Sequence, residues 1–182
     1  MIEMPSIDPE MTDWLAKTSF EELFLRGDEP RHLGHPETLD RLAAIACSPG
    51  LSPKIRVLAH ELLIEAGRQP NQELAETYCR ALPETFSHNA WGMPGRYTER
   101  LGKTVVAFGK PALPCLLKLF TDQRPLGYFG SEEPTLSRSM RYRVCDLAAY
   151  LASLVVGVTF RNSLDPETRD SFISQLAMNL SG

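Results

Sequence analysis

The sequence predicts an all-α fold, and three observations carry that expectation. Apolar residues recur at helical spacing along most of the 182 residues, alternating strand patterns are nearly absent, and Pro, Gly and Ser stand where helices begin and end. With 43% apolar and 23% charged residues the chain can bury a core of ordinary size, which excludes wholesale disorder.

Eight helices are expected in order. Residues 9–26 put Met11, Trp14, Leu15, Leu23 and Phe24 on one face and stop at Gly27. Residues 28–36 are a polar turn region. Pro36 opens the second helix, whose Leu39, Leu42, Ala43 and Ala46 keep the i, i+3, i+4, i+7 rhythm until Ser48-Pro49-Gly50. Ser52-Pro53 is a cap followed by a first-turn proline, and the third helix runs to Gly67, a residue suited to a left-handed C-terminal cap. Leu74, Ala75, Tyr78 and Leu82 stripe a fourth helix at 71–83; a fifth is expected at 96–108 and a sixth at 111–121. The seventh, about 139–156, is apolar nearly all round and is expected to be the buried one. Asp165-Pro166 starts the eighth, which carries Phe172, Ile173, Leu176 and Leu180.

Two segments look like copies of one unit. Residues 55–67, IRVLAHELLIEAG, and 142–157, YRVCDLAAYLASLVVG, share an Arg-Val start, small residues one turn on and a terminal Gly. Residues 104–122, TVVAFGKPALPCLLKLFTD, hand one helix to the next through Gly109 and Pro111. On these residues the stretch 36–160 resembles the HEAT-repeat family. Ile55, Arg56, Ala59, Leu62, Leu63 and Gly67 match the second helix of one repeat. Pro111, Leu113, Leu116, Leu117, Leu119 and Asp122 match the first helix of another, and Tyr142, Arg143 and Ala149 begin its partner. The resemblance implies a short right-handed superhelical stack of antiparallel helical hairpins. It divides a single domain into an N-terminal cap (1–35), three hairpins (36–157) and a C-terminal cap (158–182). Departures are His60 in place of a small residue, a poorly matching stretch at 70–109 and a long insertion before the last helix of the third hairpin. A salt link from Arg56 or Arg143 to an Asp such as Asp122 is expected at the helix turns.

That pairing places the long connections 84–95 and 122–138 on one edge, and long ordered loops often carry function. The expected partner-binding residues are Phe86, His88 and Trp91 from the first loop, Tyr128, Phe129, Glu132, Glu133 and Arg138 from the second, and Arg96 and Arg100 beside them. Charge is distributed unevenly. Residues 1–95 hold 8 basic and 15 acidic residues, 96–143 hold 9 and 4, and 144–182 hold 2 and 4. The net −4 therefore conceals a basic central segment that an anion or an acidic partner could use.

Catalytic and metal signals are weak. His32-x-x-His35 lacks further ligands at suitable spacing, Cys79 and His88 lack an orienting third group, and Gly92-Met93-Pro94-Gly95 follows no strand. Asp146, on the apolar seventh helix, is expected to be buried and held by hydrogen bonds rather than to act as a base. Cys47, Cys79, Cys115 and Cys145 form no CxxC pair and are expected to be reduced and buried. The acidic start and the shortness of the longest apolar run, 147–160, point to a cytoplasmic chain that neither enters nor spans a membrane. No cofactor or metal is expected. The favoured function is a non-catalytic scaffold that binds another protein through the long-loop edge or a concave face. The alternatives are an enzyme or nucleic-acid-binding protein on the same scaffold using residues 96–143, although the overall acidity argues against nucleic acid, and a homo-oligomer.

Overall fold

The computed structural model describes residues 7–24, 35–85 and 87–181. The chain is mostly helical, with a single two-stranded sheet among the described residues. It folds as two compact units, residues 1–77 and 78–182. The expected end of the first helix at Gly27, and His32, lie outside the described residues.

The first unit opens with α1 (Pro9–Lys17), capped by Asp8, whose Oδ1 accepts from the N–H groups of Glu10 and Met11 at 3.0 and 3.2 Å. Residues 9–26 were expected to be one helix; instead a new one, α2 (Phe20–Phe24), starts after a break. The cause is a reciprocal cap: Ser19 Oγ accepts from the Glu22 N–H at 3.1 Å, and the Glu22 carboxylate accepts from the Ser19 N–H at 2.6 Å. Helices α3 (Pro36–Cys47) and α4 (Pro53–Glu65) sit where the sequence places them and pair antiparallel. Arg56 Nε, at the start of α4, donates to the Ala46 carbonyl at the end of α3 at 2.9 Å. Leu42, Ile45, Leu58, Ala59 and Leu62 fill the space between them without exposure to solvent beyond 2%. Gly67 takes the expected left-handed turn (φ +87°), and the Arg68 N–H closes it onto the Leu63 carbonyl at 2.9 Å. Helix α5 (Ala75–Ala81) carries the chain across the division.

The second unit is built around α9 (Val144–Val156), in which every residue from Val144 to Ser153 is buried, as its all-round apolarity requires. Helices α6 (Arg100–Phe108), α7 (Leu113–Lys118) and α10 (Pro166–Ser181) all pack on it. The chain bends by 104° between α6 and α7 at Gly109, whose φ is +66°. Asp122 and Arg124 carbonyls accept from the Cys145 and Val144 N–H groups at 2.9 Å, so the end of α7 meets the start of α9 and the two run antiparallel. Between them, within the connection expected at 122–138, lies a further helix, α8 (Glu133–Met140), signalled by Pro134 in its first turn. Among the described residues no single helix is long and apolar enough to cross a membrane.

Two further departures concern residues 79–115. The strands β1 (Gly92–Met93) and β2 (Tyr97–Thr98) form a small antiparallel hairpin, so α6 begins at Arg100 rather than 96. Cys79 and Cys115 are joined by a disulfide that ties α5 to α7, with Cα atoms 5.8 Å apart. The expectation of four reduced, buried cysteines is therefore corrected: two are paired, Cys145 is free and buried, and Cys47 is free and exposed. Thirty-six residues separate the pair, so only the tertiary fold brings them together.

Helix α6 lies so close to the hairpin that Gly102 has no room for a side chain. A Cβ there would stand 2.1 Å from the Trp91 carbonyl oxygen and 2.7 Å from Thr98 Cγ2. Gly→Ala inside a helix ordinarily gains about 1 kcal/mol of propensity. Here Gly102→Ala is expected to destabilise by about 2 kcal/mol or more in chemical denaturation, while Ala at the exposed Lys103 stays within about 0.5 kcal/mol.

Candidate functional site

The two long connections meet, but in a manner unlike an exposed binding edge. His88 and Trp91, both expected to face a partner, are buried, and so is Met93. Trp91 is a core residue: its Nε1 donates to Thr85 Oγ1 at 3.1 Å, and its ring stands edge-on to Tyr78, which in turn stands edge-on to Phe108. Trp91, which reads as surface in the sequence, is consumed in closing the core. Phe86 lies outside the described residues.

His88 clasps the second connection. Its Nδ1 accepts from the Gly127 N–H at 3.0 Å, its own backbone N–H donates to the Gly127 carbonyl at 2.7 Å, and its Nε2 reaches the Leu82 carbonyl at 3.2 Å. That arrangement fits the neutral ring with the proton on Nε2; Nδ1 also lies 3.2 Å from the Gly127 carbonyl. Asn89 extends the clasp by mimicking a strand. Its Oδ1 accepts from the Phe129 N–H at 2.9 Å while its Nδ2 donates to the Phe129 carbonyl at 3.0 Å. The Tyr128 hydroxyl donates to the Gly92 carbonyl at 2.8 Å, and burial raises its pKa. Of the expected aromatic contacts among the described residues only Phe129 is exposed, at 46%. Glu132 is exposed next to α8, Glu133 is half-buried near the Tyr97 hydroxyl, and Arg138 donates back to the Pro134 carbonyl of its own helix. Arg100 is half-buried at the start of α6.

Below this clasp lies a buried ionic knot. Asp146 and Arg169 are both wholly inaccessible to solvent. The Asp146 carboxylate accepts from Arg143 (N at 2.9 Å, Nε at 3.0 Å and Nη2 at 2.9 Å) and from Arg169 Nε at 2.9 Å. Arg143 also reaches Asp170 at 2.7 Å and Gln123 at 2.7 Å. The expected link from Arg143 to Asp122 is not made; Asp122 binds Arg124, two residues on. Arg169 spends its remaining donors on the carbonyls of Ser163 and Arg141, and its guanidinium lies 5.5 Å from the Tyr142 ring centroid. With every lone pair engaged, Asp146 is structural, as the sequence suggested.

Over the knot the Tyr142 hydroxyl gathers a surface cluster. It lies 3.0 Å from the Pro94 carbonyl and 2.8 Å from Asn162 Oδ1, and the positive charge of Arg96 lies close enough to act on it. Arg141 and Arg161, each next in sequence to one of these residues, are exposed along with Arg96. None of the three pairs with a carboxylate of a described residue, whereas nearby Lys103 pairs with Glu99 and Arg143 with Asp146 and Asp170. Arg96 and Arg141 belong to the basic segment read from the sequence; Arg161, 18 or more residues past its end, was not singled out. Arg141 adopts the left-handed conformation (φ +53°) at the C-terminus of α8, with its carbonyl held by Arg169.

Buried neutral histidines make the fold acid-sensitive. Burial lowers the pKa of His88, and lowers that of His60, whose Nε2 accepts from the Asn71 N–H at 3.0 Å, to about 4. The unfolded chain therefore binds more protons than the folded one, and stability present above the unfolded value of about 6.5 is lost as pH falls. Thermal melts from about pH 7 down to about pH 5 should show a falling midpoint, with a shallower slope in both His60→Gln and His88→Gln.

No protein-family model, no curated protein and no solved structure matches this chain.

Proposed function

We propose that the protein is a non-catalytic interaction module whose second unit binds an acidic segment of another protein through Arg96, Arg141 and Arg161. The observation that carries this reading is the set of three unpaired guanidiniums around the Tyr142–Asn162 contact, mounted on a rigid base. A surface arginine ordinarily finds a carboxylate when one is in reach, and the neighbouring Arg143 and Arg124 each bind two. Arg96, Arg141 and Arg161 offer planar forks suited to carboxylates, on backbone fixed by the knot and the clasp, so little ordering is needed on binding. Exposed Arg138, one turn before Arg141 on α8, widens the same positive field.

The HEAT-like reading belongs with this proposal. The antiparallel pairs α3–α4 and α7–α9, and the Gly109–Pro111 handover, support helical hairpins of that kind. Against the simplest repeat pattern, α8 intervenes inside one pair. In addition α10 starts beside the start of α9, at Asp146–Arg169, so these two are not an antiparallel hairpin.

Fluorescence anisotropy with a labelled glutamate-rich peptide tests the reading. The Arg96→Ala/Arg141→Ala/Arg161→Ala variant should bind at least about ten-fold more weakly, with the wild-type affinity falling as salt is raised. Equal binding by the triple variant, or preferential binding of duplex DNA over the peptide, contradicts it.

A further inference from the structure

A half-open cleft of about 250 Å³ lies in the first unit, between α3 and the turn at residues 67–74. Its wall on α3 is one helical stripe, with Asp40, Ala43 and Cys47 at i, i+3 and i+7. The small side chains of Ala43 and Ala46 keep the groove open, and Leu63 and Leu74 add apolar lining. From Asp40 to Cys47 the stripe is about 10 Å long.

The two ends differ chemically. The hydrogen bond from Arg56 to Ala46 fixes the register of α3 against α4, so Asp40 lies level with the C-terminal part of α4. The turn after α4 begins there, because the Arg68 N–H bonds the Leu63 carbonyl. Asp40 and Arg68 therefore stand at the same end of the cleft. They are exposed and opposite in charge, and neither makes an ion pair with the other or with any other described residue. Gln69 and Asn71 add polar groups along the same turn. The chain then runs past His60, whose Nε2 holds the Asn71 N–H, towards Leu74, which lines the cleft together with Cys47.

We propose that this cleft binds a small zwitterion with an apolar side chain, of the size and type of a free leucine or phenylalanine. Its ammonium sits at Asp40, its carboxylate at Arg68, and its side chain lies along Ala43 and Ala46 towards Leu74. An ammonium and a carboxylate on one carbon complement the opposite charges that Asp40 and Arg68 bring to the cleft. At about 10 Å long and about 250 Å³, the groove has the size of one such side chain. This site shares no residue with the arginine cluster, so either can fail without the other.

Isothermal titration of the full chain with L-phenylalanine and L-leucine tests it, with maleimide labelling of Cys47, the exposed free thiol among the described residues, as an independent readout. Binding heat is expected for at least one of the two, together with several-fold slower labelling. Phenylalaninamide, which lacks the carboxylate, and N-acetylphenylalanine, which lacks the ammonium, should bind at least about ten-fold more weakly. Asp40→Asn and Arg68→Gln should weaken the amino acid by a similar factor, and Ala43→Phe, which fills the groove, should abolish binding; circular dichroism reports that each variant is folded. Absence of both heat and protection overturns the proposal. So does an affinity indifferent to loss of either ligand charge, or wild-type binding by folded Ala43→Phe.

Discussion

One carboxylate organises the second unit. Asp146 sits on the most apolar helix of the chain, where an unpaired charge would cost several kcal/mol. It is tolerable there because two arginines converge on it, one from the residue that starts its own helix and one from α10. Arg169 is itself wholly buried, so the two charges are mutually required: neither has water to fall back on. Replacing such a pair with well-packed apolar groups can be neutral, but removing one partner leaves a buried charge alone. Its contribution is therefore less to net stability than to the choice of one arrangement.

The surface above follows from that arrangement. Arg169 holds the Arg141 carbonyl and the Ser163 carbonyl, which places the residue just before Tyr142 and the one just after Asn162. Tyr142 then reaches the turn of the β1–β2 hairpin through Pro94, and Gly95 is held so near Asn162 that a Cβ would lie 2.7 Å from the Asn162 side chain. The clasp of His88 and Asn89 onto residues 127–129 fixes the far side of the same hairpin region. Three arginines from segments far apart in sequence are thus presented on a common, stiff base. In the first unit a different constraint operates: small residues on α3 leave a groove that its hairpin partner does not fill.

What could be read from the sequence follows the range of the interaction responsible. Helices α3, α4, α9 and α10 were legible because proline, serine and glycine caps act within one turn and the apolar period spans three or more. The split between α1 and α2 is also written locally, in Ser19 and Glu22, and α8 in Pro134; the first signal sits inside a continuous apolar period and the second inside a polar, Gly-containing connection. The hairpin at 92–98 has too few residues to show a period. The burial of Trp91 and His88 could not be decided locally, because an aromatic residue in a Gly-rich loop looks the same whether it faces solvent or folds back to close a core. The disulfide and the Arg169 partner of Asp146 are long-range in the strict sense: 36 and 23 residues separate the groups that meet. The basic central segment was legible as charge, but which of its arginines remain unpaired depends on where Asp170, Gln123 and Glu99 end up.

The most direct test of this dependence is a double-mutant cycle on Asp146 and Arg169, measured by chemical denaturation. Asp146→Asn should destabilise the protein by about 3 kcal/mol or more, because it leaves Arg169 buried without its counter-charge, and Arg169→Met should cost less, because Asp146 keeps Arg143. The double variant should then cost far less than the two losses combined. If the two losses add to within about 0.5 kcal/mol, the groups are independent and the knot does not organise the unit.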